Sequence, residues 1–204
     1  MAETKAAPAL LADPAPLGLM GFGLTTFVLS LVNAGVLKGA GDIKVVIGLA
    51  VFYGGLAQLL AGMWEFRNGN TFGATAFSSY GAFWLTFAAL LIPGVGVDFG
   101  DAAKGPSHTA IGWYLIAWAI VTGLLLLGTL RINGALVAVF VLLFVTYILL
   151  AIGEFSGAAA GSGITSIGGW IGILTAIAAW YTALTGILRG VSGGKLALPV
   201  FPMS

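Results

Sequence analysis

Six apolar stretches, each about twenty residues long, dictate what this chain can fold into. They run over 17–37, 45–64, 74–92, 111–130, 132–152 and 167–188. At ~1.5 Å rise per residue, about 20 helical residues cross the ~30 Å hydrocarbon core of a bilayer. Lipid offers no water to backbone N–H and C=O groups, so a spanning segment must satisfy them internally, as a helix does. The stretches therefore predict an all-α, polytopic membrane protein with six transmembrane helices.

Charge placement agrees with this reading. Only 7% of the residues are charged and 59% are hydrophobic, with a mean hydropathy of +1.07. A soluble domain carries about 25% charged residues, so this chain cannot cover a globular surface for water. The charges gather in the gaps: Lys38, Asp42 and Lys44; Arg67; Asp98, Asp101 and Lys104 with His108; Arg131; Glu154; Arg189 and Lys195. One side of the membrane collects Lys5, Arg67, Arg131, Arg189 and Lys195, the other Lys38, Lys44 and Lys104. The positive-inside rule then places both termini in the cytoplasm, and the chain reads as a multi-pass protein of the inner (plasma) membrane. Residues 1–16 lack the basic-then-apolar order of a secretory signal and read as a cytoplasmic N-terminal tail. Residues 17–188 form the six-helix transmembrane domain, and 189–204 a cytoplasmic C-terminal tail.

Several functional classes fall away on composition. There is no cysteine, so disulfides, thiolate metal sites and cysteine nucleophiles are excluded. His108, the single histidine, falls in a loop, with no serine partner or metal-ligand spacing around it. The scattered basic residues make no stripe for nucleic acid. The sequence thus predicts no enzyme, no cofactor and no metal.

Polar groups at membrane depth are few. Asn33, Gln58 and Glu65 stand out, with Thr25, Thr26 and Ser30 on the first span. Thr71, Thr75, Ser78/Ser79 and Thr86 recur along the third. A hydroxyl usually bonds back to its own helix, yet together these groups can line a path without fixed charge. Thr25, Asn33, Gln58, Glu65 and Thr75 are the candidate path residues. No lysine or arginine lies mid-span, where a dicarboxylate or phosphate would want one. The chemistry favours a small, weakly charged solute: a monocarboxylate, or a neutral species passing an apolar neck. Trp64, Trp84, Trp113 and Trp170 fall near predicted span ends, as interfacial residues do, while Trp118 and Trp180 lie deeper as packing residues. Small-residue spacings such as Ala50-x-x-x-Gly54 and Ala57-x-x-x-Ala61 suit close helix packing.

The start of the first span reads Asp13-Pro14-Ala15-Pro16-Leu17-Gly18-Leu19-Met20-Gly21-Phe22-Gly23. A second block runs Phe52-Tyr53-Gly54-Gly55-Leu56-Ala57-Gln58 through Glu65 to Gly69-Asn70-Thr71-Phe72-Gly73, Thr75-Ala76-Phe77-Ser78-Ser79-Tyr80-Gly81 and Phe83-Trp84-Leu85-Thr86. Gly128-Thr129-Leu130, Leu149-Leu150-Ala151-Ile152-Gly153 and Gly169-Trp170-Ile171-Gly172 complete the pattern. These blocks resemble the acetate uptake transporter family, which includes bacterial succinate–acetate permeases. The resemblance covers nearly all of residues 13–188. It implies a homo-hexamer with a substrate path inside each protomer, and transport of acetate with succinate as a second substrate in some members. It also implies an apolar constriction, whose Phe, Tyr and Leu fall on Phe22, Tyr80 and Leu143 here. Whether such a path works by proton-coupled symport or anion-channel conduction is open at this point. So are a conduit for ammonia or another short-chain acid, and a membrane sensor or scaffold that binds without transporting. One position departs from the family signature: Asp13 stands where the family has Asn. Either residue caps a helix, and an ionised Asp13 would also repel an anion at that entrance.

Overall fold

The structure, a computed structural model, describes residues 11–39, 41–92 and 106–203. Among these residues it is all-α. The helices are α1 (Ala15–Asn33), α2 (Ile43–Arg67), α3 (Thr71–Leu91), α4 (His108–Thr129), α5 (Gly134–Phe155) and α6 (Gly163–Val191). All six are long and apolar enough to cross a membrane. Lys5, Asp98, Asp101 and Lys104 lie outside the described residues.

Helix ends differ from the apolar stretches because caps, not hydropathy, set them. The Asn70 side chain accepts from Gly73 N–H at 3.0 Å and starts α3 three residues before the apolar run. Asn133 accepts from Leu136 N–H at 2.9 Å, which leaves Ile132 in the turn before α5. Ser107 does the same for α4, through Ala110 N–H. These are helix N-caps that satisfy otherwise orphaned donors. At its far end α1 stops at Asn33, four residues short of the predicted limit, because Gly35 turns the backbone left-handed at φ 76°. A Cβ there would also stand 2.6 Å from the Gly161 Cα, so glycine is required on both counts. Helix α6 begins at Gly163 and continues to Val191, past both ends of its apolar stretch.

Packing follows the small residues. The most extensive interface joins α1 to α6, followed by α6 to α5 and α5 to α4, with the second half of α2 laid on α3. A Cβ on Gly62 of α2 would stand 2.5 Å from the Ser78 backbone nitrogen of α3. Membrane helices associate through such close approaches. Helix α2 contains one π-helical stretch, Phe52–Ala57, whose Gly54 faces Thr25 of α1 and whose Gly55 faces Leu85 of α3. The circle of helices closes thinly between α3 and α4. Side chains bridge that seam. Tyr80 and Thr122 share a hydrogen bond of 2.9 Å, and Phe83 stacks on Tyr114 at 5.8 Å between centroids.

After α6 the chain folds back on the bundle. It returns to the start of α5, where Gly134 N–H donates to Phe201 O (2.8 Å) and Ala135 N–H to Val200 O (3.2 Å). Met203 N–H donates to Ile132 O, and the Tyr181 hydroxyl to Pro199 O at 2.7 Å. The carbonyls of this strap thus take up donors that open α5.

Candidate functional site: two cavities and the wall between them

Two cavities lie end to end inside the bundle. The one at the end carrying both described termini holds about 270 Å³, and the far-side one about 410 Å³. Phe22 and Leu143 line both, so their side chains form the wall between the two spaces. Tyr80 lines the termini-side cavity and packs against Phe22 at 5.8 Å between ring centroids. All three residues are buried. The Tyr80 ring is held from three directions, by Phe22, Trp118 and Phe140, and its hydroxyl by Thr122. Thr122 is itself anchored to Trp118 O.

Helical periodicity explains how three elements reach one axis. From Phe22, α1 presents Leu19 to the termini side and Thr26, Ser30 and Asn33 to the far side. From Leu143, α5 presents Leu136, Val139 and Phe140 to one side and Tyr147, Leu150 and Glu154 to the other. From Tyr80, α3 presents Gly73 and Ala76 inward to the first cavity and Trp84 and Phe87 to the second. Residues three and four apart share a helix face, so each stripe follows from its wall residue. Both cavities are mostly apolar. Charge sits at their margins: Asp13 and Arg189 on the termini side, Glu154 on the far side. The Glu154 carboxylate meets the imidazole Nδ1 of His108 at 2.7 Å.

The candidate path residues separate into two groups. Gln58 lines the termini-side cavity and Asn33 the far-side one. Asp13 lines the termini-side cavity too, and its Oδ1 accepts from Ala15 N–H at 3.0 Å, while the N-cap position of α1 is Pro14. Thr25, Glu65 and Thr75 line neither cavity. Thr25 is buried against Gly54 and donates to Gly21 O, so it serves the α1–α2 contact. Thr75 is exposed on the outside of the bundle and donates to Thr71 O, its own helix. Glu65 is buried behind the cavity wall, against Gly73. None of the hydroxyl residues of the stripe expected along the third helix lines either cavity. Ser78 packs over Gly62, and Thr86 bonds Phe83 O and Tyr114 across the α3–α4 seam.

Trp84 overturns its reading as an interfacial residue. Trp64, Trp113 and Trp170 are 55%, 64% and 54% exposed on the bundle surface, whereas Trp84 is 2% exposed and borders the far-side cavity. Thr26, noted among the polar groups of the first span but not among the candidate path residues, lines the far-side cavity, and Tyr147, Glu154 and Arg189 are further lining residues that residue type alone did not single out. The available signal was spacing: Thr26, Trp84 and Tyr147 each follow a wall residue by four.

Six apolar helices around two facing cavities, divided by a wall of aromatic and aliphatic side chains, define a membrane-conduit architecture. Residues 3–204 match the GPR1/FUN34/yaaH family, and the chain belongs to it. It is 44% identical to the succinate-acetate/proton symporter SatP of Escherichia coli, over 93% of this chain and 95% of that protein. It is 45% identical to acetate permease A of Emericella nidulans (95% and 67%) and 47% identical to ammonia transport outward protein 2 of Saccharomyces cerevisiae (86% and 61%). The chain thus spans about two thirds of the length of these fungal relatives. The solved structure of the bacterial acetate channel SatP superposes with a TM-score of 0.82 at 43% identity, over 93% of this chain and 99% of that one. The protein is a multi-pass membrane protein.

Proposed function

We propose that this chain moves acetate and related small carboxylates, succinate among them, through a path inside each protomer. The observation that carries the reading is the pair of cavities meeting at Phe22 and Leu143, in a chain with this likeness to the acetate channel SatP. Phe22, Tyr80 and Leu143 act as the neck. An apolar neck rejects hydrated ions because stripping water from a charge there is costly. Arg189, at the margin of the termini-side cavity, attracts carboxylates toward it, and Asp13 beside it moderates that attraction. Gln58 and Asn33 offer amides along the way.

The same reading places both termini in the cytoplasm, makes the termini-side cavity the inner one, and takes the protein as a homo-hexamer of the inner membrane. The basic residues on the termini side support the first point; the family resemblance supports the last. The chain works as a conduit and not as an enzyme, in keeping with the transporters and channel it resembles. A second reading, passage of ammonia, is favoured by the likeness to ammonia transport outward protein 2 and by the apolar lining.

The deciding experiment is uptake of labelled acetate into proteoliposomes under an imposed pH gradient, with and without a membrane potential. Saturable uptake driven by the pH gradient alone marks proton-coupled symport, and uptake that follows the potential marks anion conduction. No uptake beyond protein-free vesicles, alongside robust ammonia flux, overturns the carboxylate reading in favour of the second.

A further inference from the structure

Two buried polar atoms beside the far-side cavity have no hydrogen-bond partner among the described residues: Thr26 Oγ1 and Trp84 Nε1. Their positions are related. Thr26 follows Phe22 by four residues on α1, and Trp84 follows Tyr80 by four on α3. Both helices run from the termini side outward, so each atom's residue stands about 6 Å, one helical turn, beyond a neck residue and on the same face. The two elements thus bring an indole N–H and a hydroxyl to the same level, directly outside the neck.

An indole nitrogen only donates, and a hydroxyl both donates and accepts. A buried donor left unbonded destabilises the state that buries it. Other buried hydroxyls of the bundle are bonded, Thr122 to Trp118 O, Thr146 to Leu142 O and Thr175 to Ile171 O, while Ser78 Oγ, unbonded too, lines neither cavity. The exceptions that border the far-side cavity are the two closest to the neck on α1 and α3. Among the described residues, the charged and titratable side chains lining that cavity are Glu154, Tyr114 and Tyr147. None of these is a cation, so what the described lining offers a solute oxygen is hydrogen-bond donors.

We propose that Trp84 Nε1–H and Thr26 Oγ1–H are the donors of a carboxyl-binding site on the outer face of the neck, unsatisfied while the neck is shut and satisfied when a cargo oxygen reaches them. The inference rests on the carboxylate reading above and names its recognition chemistry. It also gives that reading a direction of selectivity. A carboxyl oxygen accepts from the indole N–H, a bond that methylammonium, which only donates, cannot make.

The test combines binding with flux. Purified protein is melted with increasing sodium acetate or methylammonium chloride, and labelled acetate uptake is measured in proteoliposomes, for the parent, Trp84→Phe and Thr26→Val. Acetate raises the parent's melting temperature and methylammonium does not. Trp84→Phe keeps the ring and removes the donor. It melts no lower than the parent without acetate, and its half-saturating acetate concentration rises about tenfold, the loss of one charge-assisted hydrogen bond. Thr26→Val, close in shape, raises that concentration by a smaller factor and stands alone as the test if Trp84→Phe does not fold. A parent that takes up acetate saturably, with variants that saturate at the same concentration, overturns the site and leaves the carboxylate reading standing. A parent showing neither acetate uptake nor an acetate-dependent thermal shift overturns both.

Discussion

The two ends of the path are built on different principles. The termini-side cavity is the smaller, and both signs of charge border it, in Asp13 and Arg189. Part of its wall is chain that has folded back, since Val200 of the strap lines it. The far-side cavity is half as large again, and among the described residues its one charged lining residue is Glu154, which meets His108 at 2.7 Å. Fixed charge acts over a Debye length of about 8 Å and gathers ions before contact. Unbonded donors act only at hydrogen-bond distance. In the proposed path, long-range attraction at one end and short-range recognition at the other can therefore be altered separately, because Phe22 and Leu143 stand between the two spaces.

The largest effect is expected from removing that separation. Tyr80→Ala deletes a buried ring that touches Phe22, Trp118 and Phe140 and a hydrogen bond to Thr122. Emptying such a site costs about 3–5 kcal/mol, visible as a lower melting temperature. It also opens the wall between the cavities, so acetate flux rises and discrimination against larger acids falls. A folded Tyr80→Ala protein with parental flux and selectivity removes Tyr80 from the neck.

Next comes the strap, which belongs to the termini side alone. Deleting residues 196–204 leaves Gly134 and Ala135 N–H without Phe201 O and Val200 O, and the Tyr181 hydroxyl without Pro199 O. At about 0.5–1.5 kcal/mol net per hydrogen bond, the deletion destabilises the start of α5 by roughly 2–4 kcal/mol. Amide exchange at Gly134 and Ala135 reports it directly. The far-side cavity has no contact with the strap, so acetate affinity measured from that side stays unchanged; a change there would show that the two ends are coupled.

Marginal charge has a smaller effect. Arg189→Gln raises the half-saturating acetate concentration on the termini side severalfold, and Asp13→Asn lowers it, both effects shrinking as salt is added. Asn at position 13 keeps the acceptor for Ala15 N–H, so stability is spared and the charge alone is read. Equal affinities for parent and Asp13→Asn at low salt would leave Asp13 with its bond to Ala15 N–H and nothing more.

The bundle was legible because lipid leaves an apolar stretch of this length one form to take, and all six spans are helices. Their ends were not, because caps such as Asn70 and Asn133 and the left-handed Gly35 act one residue at a time. The constriction expected at Phe22, Tyr80 and Leu143 came from a family resemblance, and in the structure Phe22 and Leu143 line both cavities while Tyr80 lines one. The rest of the lining was obscured by chemistry that suits two roles. Thr75 and Thr25 look like path hydroxyls yet satisfy their own helices, as hydroxyls in apolar surroundings do. Trp84 has the composition of an interfacial anchor, and only its spacing from Tyr80 hinted that it turns inward. The strap rests on pairing between Asn133 and Pro202, and a contact of that sequence separation leaves no local pattern to read.

The smallest effect belongs to the far mouth, and it is the most pointed test of the asymmetry. His108 and Glu154 approach to 2.7 Å, which invites the view that the pair latches α4 to α5. Exposure argues otherwise: the His108 side chain is 71% exposed and that of Glu154 28%. An ion pair so open to water contributes about 0–1 kcal/mol, and salt screens even that. Helix α4 already starts on the Ser107 cap and packs along α5 at Gly112, where Phe155 lies too close to admit a Cβ. His108→Gln should therefore melt within a degree or two of the parent, and its acetate uptake from the far side should follow the parental curve. A large loss of uptake with an unchanged melting temperature would mean that charge at this mouth captures solute after all. The far end would then work like the termini end, and hydrogen bonding beside the neck would no longer distinguish the two.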